Sequence, residues 1–318
     1  MQYLGIEIGG TKLQFGVGPA DGRTFTEFVR LDVRRERGAA GILEQIRETG
    51  RRLVAAHRVQ RVGYGFGGPV FGAKGIVQKS HQVDGWDGVP LVTWTEEHLG
   101  VPTRLGNDCD VAALAEACYG AGIDCRTVFY VTVGTGIGGG FVIDRGIYGT
   151  DRPAAAEIGH LRPGLAAMSP HQTVESEAAG PGIETRLQRR IRELVDPHVP
   201  NDDAIAFLTE VAGHSNLITA KQIASQAVRG NQLAQQVYRE ATDVLGWAIA
   251  QVITLLAPEI VVVGGGVSLA GEAVFFAPLR EAVARYVFPP LADSYRLVSA
   301  ELGERVVVHG ALALAAAP

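Results

Sequence analysis

The sequence predicts an α/β fold in two domains. Three observations lead there. Short β-rich apolar runs alternate with helical patterns along the chain, the runs close on glycine turns, and 318 residues fit two domains of ordinary size better than one. Apolar residues make up 47% and charged residues 20%, enough to bury a sizeable core and too apolar for disorder.

The elements follow in chain order. Tyr3–Ile8 reads as a strand, Gly9-Gly10-Thr11 as a turn, and Leu13–Val17 alternates as a half-buried strand does. Ala39–His57 places Ile42, Ile46, Leu53 and Val54 near helical spacing. Gln60–Phe66 is a strand entering Gly67-Gly68-Pro69, and a loop-rich stretch with Trp86 and Trp94 follows. Thr103–Gly106 is a short strand, and Asp108–Gly120 an alanine-rich helix closed by glycine. Thr127–Val133, Gly134-Thr135-Gly136 and Gly139–Ile143 then repeat the opening strand, Gly-Thr turn and strand. Helices are expected over Thr219–Arg229 and Asn231–Leu256, the second with Asn231 as N-cap and Pro258 past its end. Glu259–Val263 is a buried strand, Gly264-Gly265-Gly266 a turn, Gly271–Tyr286 a helix and Gly310–Ala317 a C-terminal helix that folds back on the first domain. The expected domains are 1–115 joined by 305–318, and 116–304.

Composition excludes several classes. Net charge is −5 and no Arg or Lys run exceeds two residues, so no nucleic-acid partner is expected. No apolar run approaches the roughly 20 residues that span a bilayer, and Met1–Ile6 enters a strand without a basic and apolar leader, so neither membrane nor secretory targeting is expected. Cys109, Cys118 and Cys125 match neither a disulfide framework nor paired metal ligands, which fits a reducing, cytoplasmic setting.

Three glycine turns carry the first chemical signal. In Glu7-Ile8-Gly9-Gly10-Thr11-Lys12, bare glycines let backbone N–H groups approach a phosphate, Thr11 adds a hydroxyl, and Glu7 sits where a carboxylate holds Mg²⁺ directly or through water. Gly134-Thr135-Gly136-Ile137-Gly138-Gly139 contains the G-x-G-x-x-G spacing of a dinucleotide site. A strand, Phe141-Val142-Ile143, follows where that motif needs a helix, so the turn is read as a phosphate-cradling hairpin. No G-x-x-x-x-G-K-[ST] motif occurs. Gly264-Gly265-Gly266 ends a buried strand and suits close packing of a base or ribose, though a tight strand-to-helix turn reads as well.

The acid–base candidate is Asp108, in Gly106-Asn107-Asp108 ahead of the alanine-rich helix. It fits the N-cap of that helix, and equally a general base that accepts a proton from an attacking hydroxyl. Asn107 would offer a donor and an acceptor to sugar hydroxyls. Glu157 and His160 stand three apart and suit the same task, with His160 also open to a metal or structural role. Glu175 and Glu177 are further acids that read equally as surface charges.

Taken together, these motifs resemble the ROK family of sugar kinases and sugar-responsive repressors, of the actin/hexokinase superfamily. The resemblance rests on Ile6–Lys12, Gly65–Pro69, Gly85-Trp86, Asn107-Asp108, Gly134–Gly140, Glu157–His160, Pro258-Glu259 and Val263–Ser268, in that order. It implies a two-lobed actin-like ATPase (ribonuclease H-like) fold with an interdomain active-site cleft. It also implies a glucokinase-like transfer of the γ-phosphate of Mg·ATP to a hydroxyl of a hexose or related sugar. Asp108 would be the base; Asn107, Glu157, His160, Glu175 and Gly68 would hold the sugar; Gly9, Gly10, Thr11, Lys12, Gly134, Thr135 and Gly136 would bracket the phosphates; Gly264, Gly265 and Gly266 would contact adenosine; Glu7 would serve Mg²⁺. A homodimer is implied as well.

The chain departs from the family pattern in three places. Leu161–Val174 lacks the C-x-C-G-x-x-G-C zinc motif, so no structural zinc is expected. Glu7 stands where Asp is usual. The asparagine usual before the Gly-Trp pair is replaced within Ser80-His81-Gln82-Val83-Asp84, with Gln82 the residue that would take its role. The family's regulators carry an N-terminal helix-turn-helix, for which a first strand at Tyr3 leaves no room. The alternative to a kinase is a catalytically silent sugar- or nucleotide-binding relative.

Overall fold

The computed structural model describes residues 1–317 except 81, 153 and 195–200. The chain divides into two compact units, one of Met1–Tyr130, Gly139–Ala156 and Ala300–Pro318, the other of Val131–Gly138 and Glu157–Ser299. Residue 115, where the sequence places the boundary, lies inside the helix Asp108–Tyr119, and the chain passes between units within the strand Thr127–Val133.

In the first unit, β1 (Gln2–Ile8), β2 (Lys12–Gly18), β3 (Glu27–Asp32), β4 (Val59–Phe66) and β7 (Thr103–Asn107) form one sheet in the order β3-β2-β1-β4-β7. The β1–β2 and β2–β3 pairs are antiparallel; β1–β4 and β4–β7 are parallel. A small hairpin, β5 (Val70–Phe71) and β6 (Ile76–Val77), follows β4. The second sheet joins β8 (Thr127–Val133), β9 (Ile137–Ile143), β10 (Gly146–Ile147), β11 (Ile260–Gly264) and β12 (Arg296–Ser299) in the order β10-β9-β8-β11-β12.

The helices of the first unit are α1 (Gly38–His57), α2 (Leu91–Leu99), α3 (Asp108–Tyr119) and, returning from the C-terminus, α10 (Val306–Ala316). Those of the second are α4 (Val174–Ala178), α5 (Gly180–Leu194), α6 (Asp202–Glu210), α7 (Ala220–Val228), α8 (Gln232–Leu256) and α9 (Ala277–Tyr286). Asn201, Thr219 and Asn231 cap α6, α7 and α8 through their side chains. Ala257 closes α8 in a left-handed conformation, φ 45°, one residue before Pro258.

Alternation decides how the first sheet is covered. Leu4, Ile6 and Ile8 pair with Val17, Phe15 and Leu13, and these share one buried core with Ile42, Ile46 and Leu53 of α1. The opposite face carries Gly5, Gly16, Gly63 and Gly65 in neighbouring register. These bare positions form a trough into which α10 settles. A Cβ at Gly5 would stand 2.6 Å from the Val308 carbonyl oxygen, and one at Gly63 would strike the Ala311 carbonyl. Glu7 and Gln14 lie on this same face, farther along β1 and β2.

Two expectations are corrected. The tryptophan-containing stretch is not all loop, since Leu91–Leu99 is helical behind Pro90. The helix expected over Gly271–Tyr286 opens as a π-helical turn, Glu272–Phe276, before α9.

Candidate active site

The first unit gathers its candidates where β1, β4 and β7 end. Glu7 is buried, its Oε1 3.1 Å from Lys12 Nζ and its Oε2 without a hydrogen-bond partner. Burial pushes its carboxyl above the usual range, with Lys12 pulling against that and the Asp108 charge adding to it. Gly9 closes the turn by donating its N–H to the Lys12 carbonyl at 3.0 Å. Gly67 donates to the Ile8 carbonyl at 2.9 Å, so the turn after β4 lies against the turn after β1. A Cβ at Gly67 would sit 3.5 Å from Asp108 Oδ2 and 3.8 Å from Gly9 Cα. The base candidate and the first glycine turn thus flank one bare position.

Asn107, not Asp108, is the N-cap of α3. Its Oδ1 accepts from the N–H groups of Cys109 at 2.8 Å and Asp110 at 3.4 Å, and its Nδ2 donates to the Gly68 carbonyl at 3.0 Å. Asp108 is the first residue inside the helix, where it accepts from the Cys109 N–H at 2.9 Å. The favourable helix N-terminus and this hydrogen bond stabilise its charged form. Burial outweighs them and raises its carboxyl above the usual aspartate range. That direction suits a group that must take up a proton.

Two residues at the first turn were not singled out for it by sequence. Gln82 lies over Gly10, so that a Cβ on Gly10 would strike its side-chain amide. Ser80 Oγ fixes this approach by accepting from the N–H groups of Gln82 and Val83, both at 3.2 Å. His81 lies outside the described residues. Arg35 donates from Nε to the Gly10 carbonyl at 2.6 Å. No periodicity or spacing signals such contacts, which form only when distant segments return to the turn.

The second unit gathers its set around Ile137. The Ile137 N–H donates to Glu175 Oε2 at 2.8 Å, and a Cβ at Gly136 would stand 2.6 Å from the same oxygen. Glu175 is therefore half-buried against the second glycine turn and is no surface charge. Gly159 packs on the Ile137 carbonyl, where a Cβ would not fit, and so brings the short 3₁₀ turn Ile158–His160 to the same place. His160 donates its backbone N–H to the Glu157 carbonyl at 3.1 Å, and its side chain is exposed. Glu177 points elsewhere, to a salt bridge with Arg186. The third glycine turn adjoins the second through Val133, whose carbonyl accepts from Val267 N–H at 2.9 Å and lies against Gly265, φ 91°. Gly134 and Gly266 have open space where a side chain would be, room that a ligand can use.

Among the described residues no three His, Cys, Asp or Glu side chains converge as a self-sufficient metal cage. Mg²⁺ in phosphoryl transfer needs less: one or two carboxylates, with the nucleotide's phosphates and water completing the shell. The unpartnered Oε2 of Glu7, beside the charge of Asp108, fits that smaller demand.

The comparisons with known proteins now decide the family. The model of the ROK family matches residues 3–317. The chain belongs to the ROK family. It is 30% identical to the glucokinase of Thermotoga maritima over 319 aligned positions, covering 99% of this chain and 97% of that one. Its fold matches the ROK family glucokinase from Streptomyces griseus, solved in complex with glucose and AMPPNP, with a TM-score of 0.80 at 29% identity, covering 99% of each chain. The ROK hexokinase from Thermus thermophilus matches with a TM-score of 0.80 at 26% identity, covering 99% of this chain and 98% of that one. The ROK fold is thus the actin-like, two-domain α/β fold that the motifs implied. Among the described residues no helix is long and apolar enough to cross a membrane.

Proposed function

We propose that this ROK protein is an ATP-dependent sugar kinase that moves the terminal phosphate of ATP to a hydroxyl of a hexose or related sugar, in the manner of a glucokinase. The observation that carries the reading is the pairing of Asp108 with the Gly9–Thr11 turn across the bare position of Gly67. A phosphate on the turn and a hydroxyl at the carboxylate would then lie side by side. The full-length likeness to glucokinases supports the same reading.

In the proposed step the sugar hydroxyl oxygen bonds to the γ-phosphorus. The bond from that phosphorus to the β–γ bridging oxygen breaks, ADP leaves, and the hydroxyl proton passes to Asp108 Oδ2. Asp108 is held for this by the helix it begins and by its bond from Cys109. Glu7 would hold Mg²⁺, which supplies charge neutralisation on the phosphates. Lys12 keeps the Glu7 side chain in place. Gly134, Thr135 and Gly136 would take the remaining phosphates, and Gly264, Gly265 and Gly266 the adenosine. Asn107 and Gly68 are the first unit's candidates for sugar hydroxyls, and Glu157, His160 and Glu175 the second unit's. Asn107 spends Oδ1 on the helix and one amide hydrogen on Gly68, which leaves its second amide hydrogen for the sugar. Gln82, longer by one methylene than asparagine and seated over Gly10, would set which hydroxyl pattern is accepted.

The test is ADP release with Mg·ATP against glucose, mannose, fructose, allose, N-acetylglucosamine and N-acetylmannosamine. Turnover that depends on one of these sugars is the expected result. ATP binding without turnover on any sugar would favour a silent binding protein instead.

A further inference from the structure

The segment between β3 and α1 carries three arginines, Arg34, Arg35 and Arg37, and they are not equivalent. Arg37 is paired with Glu44 at 2.6 Å, an ordinary surface ion pair. Arg35 turns back onto the first glycine turn and donates from Nε to the Gly10 carbonyl at 2.6 Å. Its segment is fastened there at both ends. Val33 N–H donates to the Thr11 carbonyl at 3.0 Å, and Ala39 N–H to the Asp84 carbonyl at 2.9 Å, on the strip that also carries Gln82.

The bond to Gly10 uses the Nε of the guanidinium and ties the group to the turn. A backbone carbonyl is a dipole and leaves the cation's full charge unanswered. Among the described residues no carboxylate pairs with Arg35, and its two Nη groups meet no protein acceptor. What remains is a planar fork of N–H donors, anchored beside a turn of bare glycines and open to solvent. That fork matches the oxygens of a phosphate, which it grips in two places at once.

We propose that Arg35 is a further catalytic residue, one that binds the phosphate being transferred; this rests on the sugar-kinase reading above. The position of Asp108 selects which phosphate is meant. Gly9 and Asp108 flank the same bare site at Gly67, so the group over this turn is the one adjacent to the base. It is therefore the terminal phosphate of ATP. Arg35 meets the charge that gathers on its equatorial oxygens as the bond to ADP breaks. Because the guanidinium is already tethered at Gly10, it lies beside the turn before that moment. The nearest competing account is that Arg35 only braces the turn.

The experiment separates the two. Wild type, Arg35→Ala and Arg35→Lys are compared for sugar phosphorylation and for binding of ADP and of a non-hydrolysable ATP analogue, all with Mg²⁺. The proposal predicts that Arg35→Ala loses about 100-fold or more in kcat/KM for ATP, loses affinity for the analogue, and keeps its affinity for ADP and its KM for sugar. Arg35→Lys, with the charge but not the fork, regains only part of the loss. Equal weakening of ADP and analogue would mean a brace and would overturn the proposal, as would unchanged turnover. If wild type phosphorylates no sugar, the kinase reading fails. The contrast between analogue and ADP still judges Arg35.

Discussion

Asp108 carries a conflict that the rest of its surroundings resolves only in part. A helix N-terminus and the Cys109 N–H favour its charge, while burial opposes it and wins, so its carboxyl holds a proton to higher pH than an exposed aspartate. Two consequences follow with definite sign. As the proposed base it would work only ionised, so turnover should fall with decreasing pH above the ordinary aspartate range, and Asp108→Asn should lower kcat by about 10²–10⁴ and remove that acid limb. For stability, the folded state binds this proton more tightly than the unfolded chain, so stability declines as pH rises from the ordinary value to the raised one. Asp108→Asn should therefore melt higher than wild type at pH 7, with the gap closing as pH falls from the raised value to the ordinary aspartate range. A thermal melt series reads this directly, and a variant that melts lower at pH 7 would contradict the assignment. Sequence pointed to Asn107-Asp108 but not to the division of labour between them, because Asn and Asp cap helices about equally well. Gln82 and Arg35 at Gly10 were not legible, since each contact joins residues far apart in sequence.

At the scale of elements, the seating of α10 on the first sheet is the joint most exposed to test. Gly63→Ala would press a methyl into the Ala311 backbone, which cannot swing aside as a long side chain can. A loss of about 1–3 kcal/mol in urea unfolding is expected, and an unchanged midpoint would show that α10 yields. The same joint explains what the sequence revealed and concealed. Strands β1 and β4 were legible from their apolar runs, and the return of the C-terminal helix was expected. The returning segment was expected at 305–318, and its helix runs Val306–Ala316 although Val306-Val307-Val308 favours strand by propensity. Helix α2 was hidden: it has nine residues and no side-chain cap behind Pro90, so no start signal marks it. Strand β3 was missed at the sheet edge, where its mixed exposure blurs the alternation.

Across the whole molecule, the proposed chemistry is divided. The base, the Mg²⁺ carboxylate and one phosphate turn belong to the first unit, while Glu157, His160, Glu175 and the other two glycine turns belong to the second. The order of the motifs was readable along the chain, and the two hairpins repeat one pattern of strand, Gly-Thr turn and strand. The exact passage between units was not readable, because Thr127–Val133 is a continuous strand with no break in composition. The measurement that bears most directly on the account is transfer of label from ATP carrying a labelled terminal phosphate, followed in wild type and Asp108→Asn with the best sugar of the panel. Label in a sugar phosphate is expected for wild type, with a loss of orders of magnitude in the variant. Label released only as inorganic phosphate, or transfer at the same rate in both proteins, would contradict it.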